Sequence, residues 1–284
     1  MILLDFSNII VGSIMIAHKT SYEEKITEDF IRHLVLNSIR NYRVKHKDKY
    51  GEIVICTDCH GSWRKEVFPQ YKAHRKVKRE KQKKEEGMDW SALFKTINDI
   101  IVEIDTHFPY KVIAVPHAEG DDVIAVLAKN IEEKSIIISS DKDFSQLHKY
   151  KHIKQYSPIQ KKMLTTNNPY KYLKEHIIRG DKGDGVPNIL SADDCIVKGE
   201  RQKPITKKKL AVWMEQPDMS NGLSDKWKRN QQLIDFEYIP EDISKGIMDS
   251  YTKTKGEQKQ GQLLNYFITN RLKYLMENIE DFIR

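Results

Sequence analysis

The sequence predicts an α/β protein with a central, mostly parallel sheet flanked by helices and followed by a helical C-terminal region. Three observations carry that reading. Short apolar runs rich in Ile, Val and Leu occur at Ile2–Phe6, Ile53–Thr57, Val112–Val115 and Ser135–Ser139. Runs this short and nearly unbroken fit strands buried on both faces, as in a parallel sheet. Segments with helical spacing separate them, and strand, helix, strand, helix is the signature of a sheet with crossover helices. From about Asn167 the strand signals fade and helical patterns take over.

Each element has its own justification. In Ile26–Tyr42 the apolar positions are Ile26, Phe30, Leu34, Leu36, Ile39 and Tyr42. Trp90–Ile104 presents Trp90, Leu93, Phe94, Ile97, Ile100, Ile101 and Ile104 as a stripe on one face. Asp121–Ile131 is a third helix of the same kind. Beyond Thr166, helices are expected at Pro169–Ile178, Thr206–Met214, Leu223–Ile234, Glu241–Tyr251 and Gln262–Ile279. The expected division is therefore an α/β catalytic unit over 1–166 and a helical unit over 167–284, with no internal repeat and no low-complexity linker.

The chain of 284 residues is long enough for one large core or for a large unit carrying a smaller one. Lys+Arg exceed Asp+Glu by 48 to 41, for a net charge of +7. That balance favours a polyanionic partner, nucleic acid being the commonest. Cys56, Cys59 and Cys195 are too few, and odd in number, for a disulfide framework, and they suit a reducing cytoplasm. The CxxC pair at 56 and 59 has no second pair to complete a zinc site, and Cys56 sits inside an apolar run. Met1-Ile2-Leu3-Leu4 lacks the basic segment and cleavage site of a signal peptide, and no apolar run is long enough to span a membrane. A cytoplasmic protein, monomeric and without membrane contact, is expected.

The sharpest feature is acid at the end of every predicted strand. Asp5 closes the first and Asp58 follows the second. The third leads into Glu119-Gly120-Asp121-Asp122, and the fourth into Asp141-Lys142-Asp143. Functional residues of an open parallel sheet gather outside the carboxyl ends of its strands, so these groups should converge on one pocket. Carboxylates crowded together repel, and cations are needed to keep them ionised. Oxygen ligands of this kind suit Mg²⁺, with Mn²⁺ able to substitute, and two such ions form a common machinery for phosphodiester displacement. Asp121, Asp122 and Asp143 can each be read singly as helix caps. Four acidic strand ends in succession are harder to explain that way.

Two further segments bear on the pocket. Between Arg64 and Lys84 lie ten Lys or Arg residues against Glu66 and Glu80, with Trp63, Phe68 and Tyr71 near the start. Cations for phosphates and aromatics for stacking suit single-stranded nucleic acid; the alternative is a solvated charged loop. Gly180-Asp181-Lys182-Gly183-Asp184-Gly185-Val186-Pro187 combines acids with glycines that allow a tight turn close to a phosphate. Taken alone it is an ordinary inter-helix turn.

At this point the chain resembles the 5′ nuclease or flap endonuclease family, and within it most closely the ribonuclease H group of T-even bacteriophages. The resemblance is carried by Leu4-Asp5-Phe6-Ser7, by Asp58 with Trp63-Arg64, and by Tyr71-Lys72 with Arg75. It continues through Glu119-Gly120-Asp121-Asp122, Ser139-Ser140-Asp141-Lys142-Asp143-Phe144 with Gln146-Leu147-His148-Lys149-Tyr150, and Gly180-Asp181-Lys182 with Asp184. Gly199-Glu200-Arg201 and Leu233-Ile234-Asp235-Phe236 with Tyr238-Ile239-Pro240 extend it over nearly the whole chain.

The resemblance implies a PIN-like fold, a basic helical arch over about 64–86, and a helix-three-turn-helix DNA-binding element around Gly180–Pro187. It implies two Mg²⁺ ions, with Asp5, Asp58, Asp121 and Asp141 at the first and Asp143, Asp181 and Asp184 nearer the second. Glu119 and Asp122 would support them. Lys72 and Arg64 match arch positions expected at the scissile phosphate or the threaded strand. Arg64, Tyr71, Lys72, Arg75, Lys76, Lys78, Arg79 and Lys182 are the candidates for nucleic-acid contact. The implied activity is 5′→3′ exonuclease and flap cleavage on DNA and RNA·DNA duplexes, serving primer removal, with replication proteins such as a single-strand-binding protein as partners. Two features depart from the pattern. Ile196–Lys203 holds only Gly199 where relatives carry a glycine-rich turn, which gives no expectation of potassium there. The sequence also opens directly on its first strand, so no N-terminal docking peptide for a sliding clamp is expected.

Other readings are weaker. A PIN-type ribonuclease on single-stranded RNA does not need the basic arch or the helical half. A non-catalytic nucleic-acid-binding relative would have lost some of the acids, and none is missing. A phosphatase would need an acid two residues after Asp5, where Ser7 stands.

Overall fold

The computed structural model describes residues 1–20, 27–216, 223–254 and 260–283. Six strands form one sheet: β1 (Ile2–Asp5), β2 (Ile53–Cys56), β3 (Lys111–Ile113), β4 (Ser135–Ile138), β5 (Ile153–Ser157) and β6 (Lys162–Leu164), in the order β3-β2-β1-β4-β5-β6. All neighbours are parallel except β5 and β6. The mostly parallel sheet flanked by helices is the fold class read from the sequence. Phe6 opens a helix instead of ending β1, and β5 and β6 were not visible in the sequence, because Lys154, Gln155 and Lys162 break their apolar pattern.

Two helical layers cover the sheet. On one face lie α1 (Phe6–Thr20), α2 (Glu28–Tyr50) and α5 (Trp90–His107), whose Ile10, Ile14, Val35, Ile39, Ile100 and Ile104 pack against Leu4, Ile55 and Ile138. Between β2 and α5 run α3 (Arg64–Val67) and α4 (His74–Glu86). Ile26, expected to open α2, is outside the described residues; Thr27 caps that helix by accepting a bond from the Phe30 amide. The other face carries α6 (Gly120–Asn130), packed on Leu3, Val54 and Ile137. Successive strand residues point to opposite faces, which is why Leu3 and Leu4 enter different layers.

Next come α7 (Pro169–Arg179), α8 (Lys207–Glu215) and α9 (Ser224–Ile234), which form a third apolar cluster with Phe68 and Tyr71 from the basic segment. Then α10 (Glu241–Lys253) packs on α6. The helix expected over Gln262–Ile279 is instead two pieces, α11 (Gln260–Thr269) and α12 (Lys273–Glu277), and a further short helix, α13 (Glu280–Ile283), follows where none was expected. The chain turns at Arg271, whose φ of 54° is left-handed and ends helical hydrogen bonding. Leu263, Phe267, Leu275 and Phe282 from these pieces join the core under β1. Among the described residues no helix is long and apolar enough to cross a membrane.

Candidate active site

The strand order reverses at β1, with β2 and β3 on one side and β4 and β5 on the other. That reversal opens a crevice outside the carboxyl ends of the strands. Asp5 ends β1 there, buried at 4% exposure. Its Oδ2 accepts a 2.5 Å bond from the Ser139 hydroxyl, and its Oδ1 accepts from the Asn8 amide at 3.2 Å. Asp58, two residues beyond β2, accepts from the Gly120 amide at 2.7 Å. Glycine eases that approach, since an added Cβ would lie 3.3 Å from the Cys56 carbonyl. Asp121 stands in the first turn of α6. Beyond β4, the buried Gln155 amide donates to the carbonyls of Ser139 and Asp141 at 3.0 and 2.6 Å, fixing the loop that presents Asp141.

These four acids lack a compensating protein cation, and three of them are electrostatically perturbed. Among the described residues no Lys, Arg or His forms an ion pair with Asp5, Asp58, Asp121 or Asp141. Burial pushes Asp5 up to about 7, with the charges of Asp141 and Asp58 adding to it. Burial, then Asp5 and Asp141, raises Asp121 well above the usual carboxylate range, and burial also raises Asp141. Buried anions without compensation neutralise themselves by taking up protons unless a cation is supplied.

Three neighbouring acids, Glu119, Asp122 and Asp184, are compensated by the protein itself. Asp122 is fully buried and receives bonds from Trp63 Nε1 (3.1 Å), from Arg64 Nη1 and Nη2 (3.0 and 2.7 Å) and from the Glu119 amide (2.9 Å). Arg64 is only 3% exposed and also donates to Glu119 and to the Leu233 carbonyl. Lys72 reaches Glu119 at 2.6 Å and Asp184 at 3.6 Å, and Arg75 binds Asp184 at 2.6 Å. The Tyr71 hydroxyl lies 2.8 Å from Glu119 and 2.6 Å from Asp184, bridging both carboxylates. Asp143 and Asp181 flank the ring of His176. Burial, then Asp141, drives Asp143 up to about 8.

The base of the basic segment is thus docked onto the Gly180–Pro187 turn. The Lys72 amide donates to the Asp184 carbonyl at 2.7 Å, and Lys72 adopts a left-handed φ of 56°. Gly180, at φ 64°, lies so near the Val186 carbonyl that a Cβ would come within 2.4 Å of it. Lys76, Lys78 and Arg79 are exposed along α4, with Arg79 leaning over the Phe94 ring at 4.6 Å; Lys182 is exposed in the turn.

The comparison with protein families decides what this arrangement belongs to. A model described as the 5′-3′ exonuclease N-terminal resolvase-like domain matches residues 4–176, which is more than half of the chain. The chain belongs to the 5′-3′ exonuclease family. A second model, for the C-terminal part of T4 RNase H, matches residues 168–282 of this 5′-3′ exonuclease family member.

The ribonuclease H of Enterobacteria phage T4 is 34% identical over 99% of this chain and 95% of its own length. A flap endonuclease Xni from Shewanella pealeana is 36% identical over 45% of this chain and 49% of its own. Among solved structures, the flap endonuclease of bacteriophage T5, in a pseudo-enzyme–product complex with DNA and metal ions, superposes with a TM-score of 0.65 at 16% identity, covering 90% of this chain and 99% of that one. The zinc-bound 5′-exonuclease of phage T5 gives 0.63 at 15%, with 90% and 99% covered. At that identity the likeness is one of fold.

The structure therefore brings Asp5, Asp58, Asp121 and Asp141 together at the carboxyl ends of the central strands and sets Asp143, Asp181 and Asp184 beside them. Arg64, Asp122 and Tyr71 stand in a buried network behind the pocket. Two participants were not legible in the sequence of this exonuclease family member. His176 lies in the last turn of α7 with no acidic motif around it. Ser139, which binds Asp5, stands in the sequence as a strand end and within a family-like motif, but with no role of its own.

Proposed function

We propose that this protein is a Mg²⁺-dependent 5′ nuclease that removes RNA primers and cuts flaps from DNA and RNA·DNA duplexes, hydrolysing phosphodiester bonds with two metal ions. The observation that carries the reading is the absence, among the described residues, of an ion-pair partner for four converging carboxylates, while Glu119, Asp122 and Asp184 beside them are each paired with a Lys or Arg. Asp5, Asp58, Asp121 and Asp141 would hold the first ion. Their donors are all oxygen, as Mg²⁺ prefers. Asp143, Asp181 and Asp184 would hold the second. Bound metal supplies a water acidic enough to attack phosphorus and charge to stabilise the leaving oxygen.

The chain's own groups have distinct tasks. Ser139, Asn8 and the Gly120 amide orient Asp5 and Asp58, so the acids need not reorganise when a substrate enters. Arg64 holds Glu119 and Asp122 in place from the buried side. Lys72, whose charge is held on by Asp184 and Glu119, stands at the pocket side of the arch where a phosphate would approach. Lys76, Lys78, Arg79 and Lys182 offer exposed charge for the strand leading away. The DNA in the T5 relative's complex supports nucleic acid as the substrate class.

The test is cleavage of a flapped duplex labelled at its 5′ end, with Mg²⁺ and then with EDTA. Short labelled products only with Mg²⁺ are expected, and their lengths separate end trimming from cutting at the junction. Tight binding with no product under either condition would count against catalysis.

A further inference from the structure

The last turn of α7 places one imidazole between two acids that lie far apart in sequence. His176 Nε2 is 3.2 Å from Asp181 Oδ2, and Nδ1 is 3.3 Å from Asp143 Oδ1. One donor atom from each residue falls within 4.8 Å of the others. The ring is 13% exposed and packs edge-on against Tyr172 at 5.8 Å between centroids.

The two nitrogens are not equivalent. Nε2 faces the Asp181 carboxylate, whose other oxygen accepts from the Asp184 amide at 2.9 Å, so Nε2 donates its proton to Asp181. Nδ1 is then the ring nitrogen that remains for a proton or a metal ion. Nδ1 is buried and makes no hydrogen bond of acceptable geometry. It faces Asp143 Oδ1, which is also an electron-pair donor. Two such atoms held 3.3 Å apart share a proton in the metal-free protein, and a metal ion can take that proton's place. Ligands about 2.1 Å from one ion and at right angles stand about 3 Å apart, which this gap matches.

We propose that His176 is a ligand of the second metal site, binding through Nδ1 beside Asp143 while Asp181 holds the ring from behind in place of binding the ion directly, and that it tilts this site from Mg²⁺ toward first-row transition ions. A histidine whose other nitrogen donates to a carboxylate is the common arrangement of a metal-bound imidazole. Nitrogen donors favour transition ions, whereas Mg²⁺ favours oxygen. The inference deepens the two-metal reading and rests on it.

Mn²⁺ is the probe. Calorimetric titration of the metal-free full chain counts the ions bound, and pulsed electron paramagnetic resonance of the loaded protein reads imidazole ¹⁴N coupling to manganese. Two ions and a ¹⁴N signal are expected in the wild type. In His176→Gln the signal should vanish and Mn²⁺ affinity at one site should fall about 10–100-fold, with Mg²⁺ affinity moving much less. Two ions without ¹⁴N coupling in the wild type would overturn the ligand assignment and leave the two-metal reading standing. A signal that survives in His176→Gln would also overturn it. No bound Mn²⁺ at all would overturn both. The wild-type spectrum decides the matter even if the variant fails to fold.

Discussion

At the scale of single residues, the pocket divides acids by whether the protein compensates them. Asp121 and Asp141 are uncompensated, so replacing either by Asn removes a proposed metal ligand without unbalancing an ion pair. Asp121→Asn and Asp141→Asn should each lower the cleavage rate by at least about 10²–10³-fold, the scale of a lost electrostatic contact to a transition state. DNA affinity should stay within a few fold in a filter-binding or fluorescence assay. Normal turnover in either variant would remove the metal assignment. A second prediction concerns pH. Asp5 and Asp143 are held up at about 7 and about 8 by burial, so the folded metal-free protein binds protons that the unfolded chain has released. Their contribution to stability is fully present below about pH 4 and is lost as pH rises through 7 to 8. Asp143→Asn should therefore gain melting temperature over the wild type progressively between pH 5 and pH 8.5, and saturating Mg²⁺ should shrink the gap. A difference that stays flat with pH would contradict the uncompensated burial. The acids were legible in the sequence because strand ends announce them. Their division into two classes was not, because it depends on partners such as Arg64 and His176, which tertiary folding brings in from elsewhere.

At the scale of elements, the basic segment behaves as two parts. Its start buries Trp63, Arg64, Phe68 and Tyr71, and the following Lys72 and Arg75 clasp the Gly180–Pro187 turn. Its later part, α4, exposes its charge. The sequence showed one continuous basic run, because charge density does not distinguish a lysine clasping an acid from one facing solvent. Lys72 and Arg75 sit where these parts meet, and DNA would have to draw them toward phosphate. The double variant Lys72→Ala with Arg75→Ala should weaken binding and lower the salt slope of log affinity by nearly two contacts, about 0.9 per phosphate on duplex and about 0.7 on single strands. Titrations at several salt concentrations measure this. An unchanged slope would mean that the pair serves only to hold Glu119 and Asp184. The variant should also loosen the turn, since the Tyr71 hydroxyl alone would then bridge the two carboxylates.

At the scale of the whole molecule, apolar packing crosses the boundary at 166 that composition suggests. The clusters under β1 draw on both ends of the sequence: Phe282 is fully buried, with its ring 5.3 Å from Phe267 and 5.7 Å from Phe108. The Arg43 guanidinium donates to the Asp281 carbonyl at 2.6 Å, and the Tyr110 hydroxyl to the Phe282 carbonyl at 3.1 Å. The sequence made α11 and α12 look like one amphipathic helix of a separate unit. Only the turn at Arg271 lets Leu263, Leu275 and Phe282 converge on one point of the core. A helix without that turn would carry Phe282 away from Phe108. If this closure is part of the sheet's own core, truncating it must destabilise the site at the opposite end of the strands. Phe282→Ala should cost about 3–5 kcal/mol, the usual cost of emptying a buried aromatic site. It should lower a single cooperative melting transition followed at once by far-UV circular dichroism and by loss of Mg²⁺-stimulated cleavage. Two separated transitions, with cleavage surviving the first, would instead show that the C-terminal helices fold apart from the catalytic sheet.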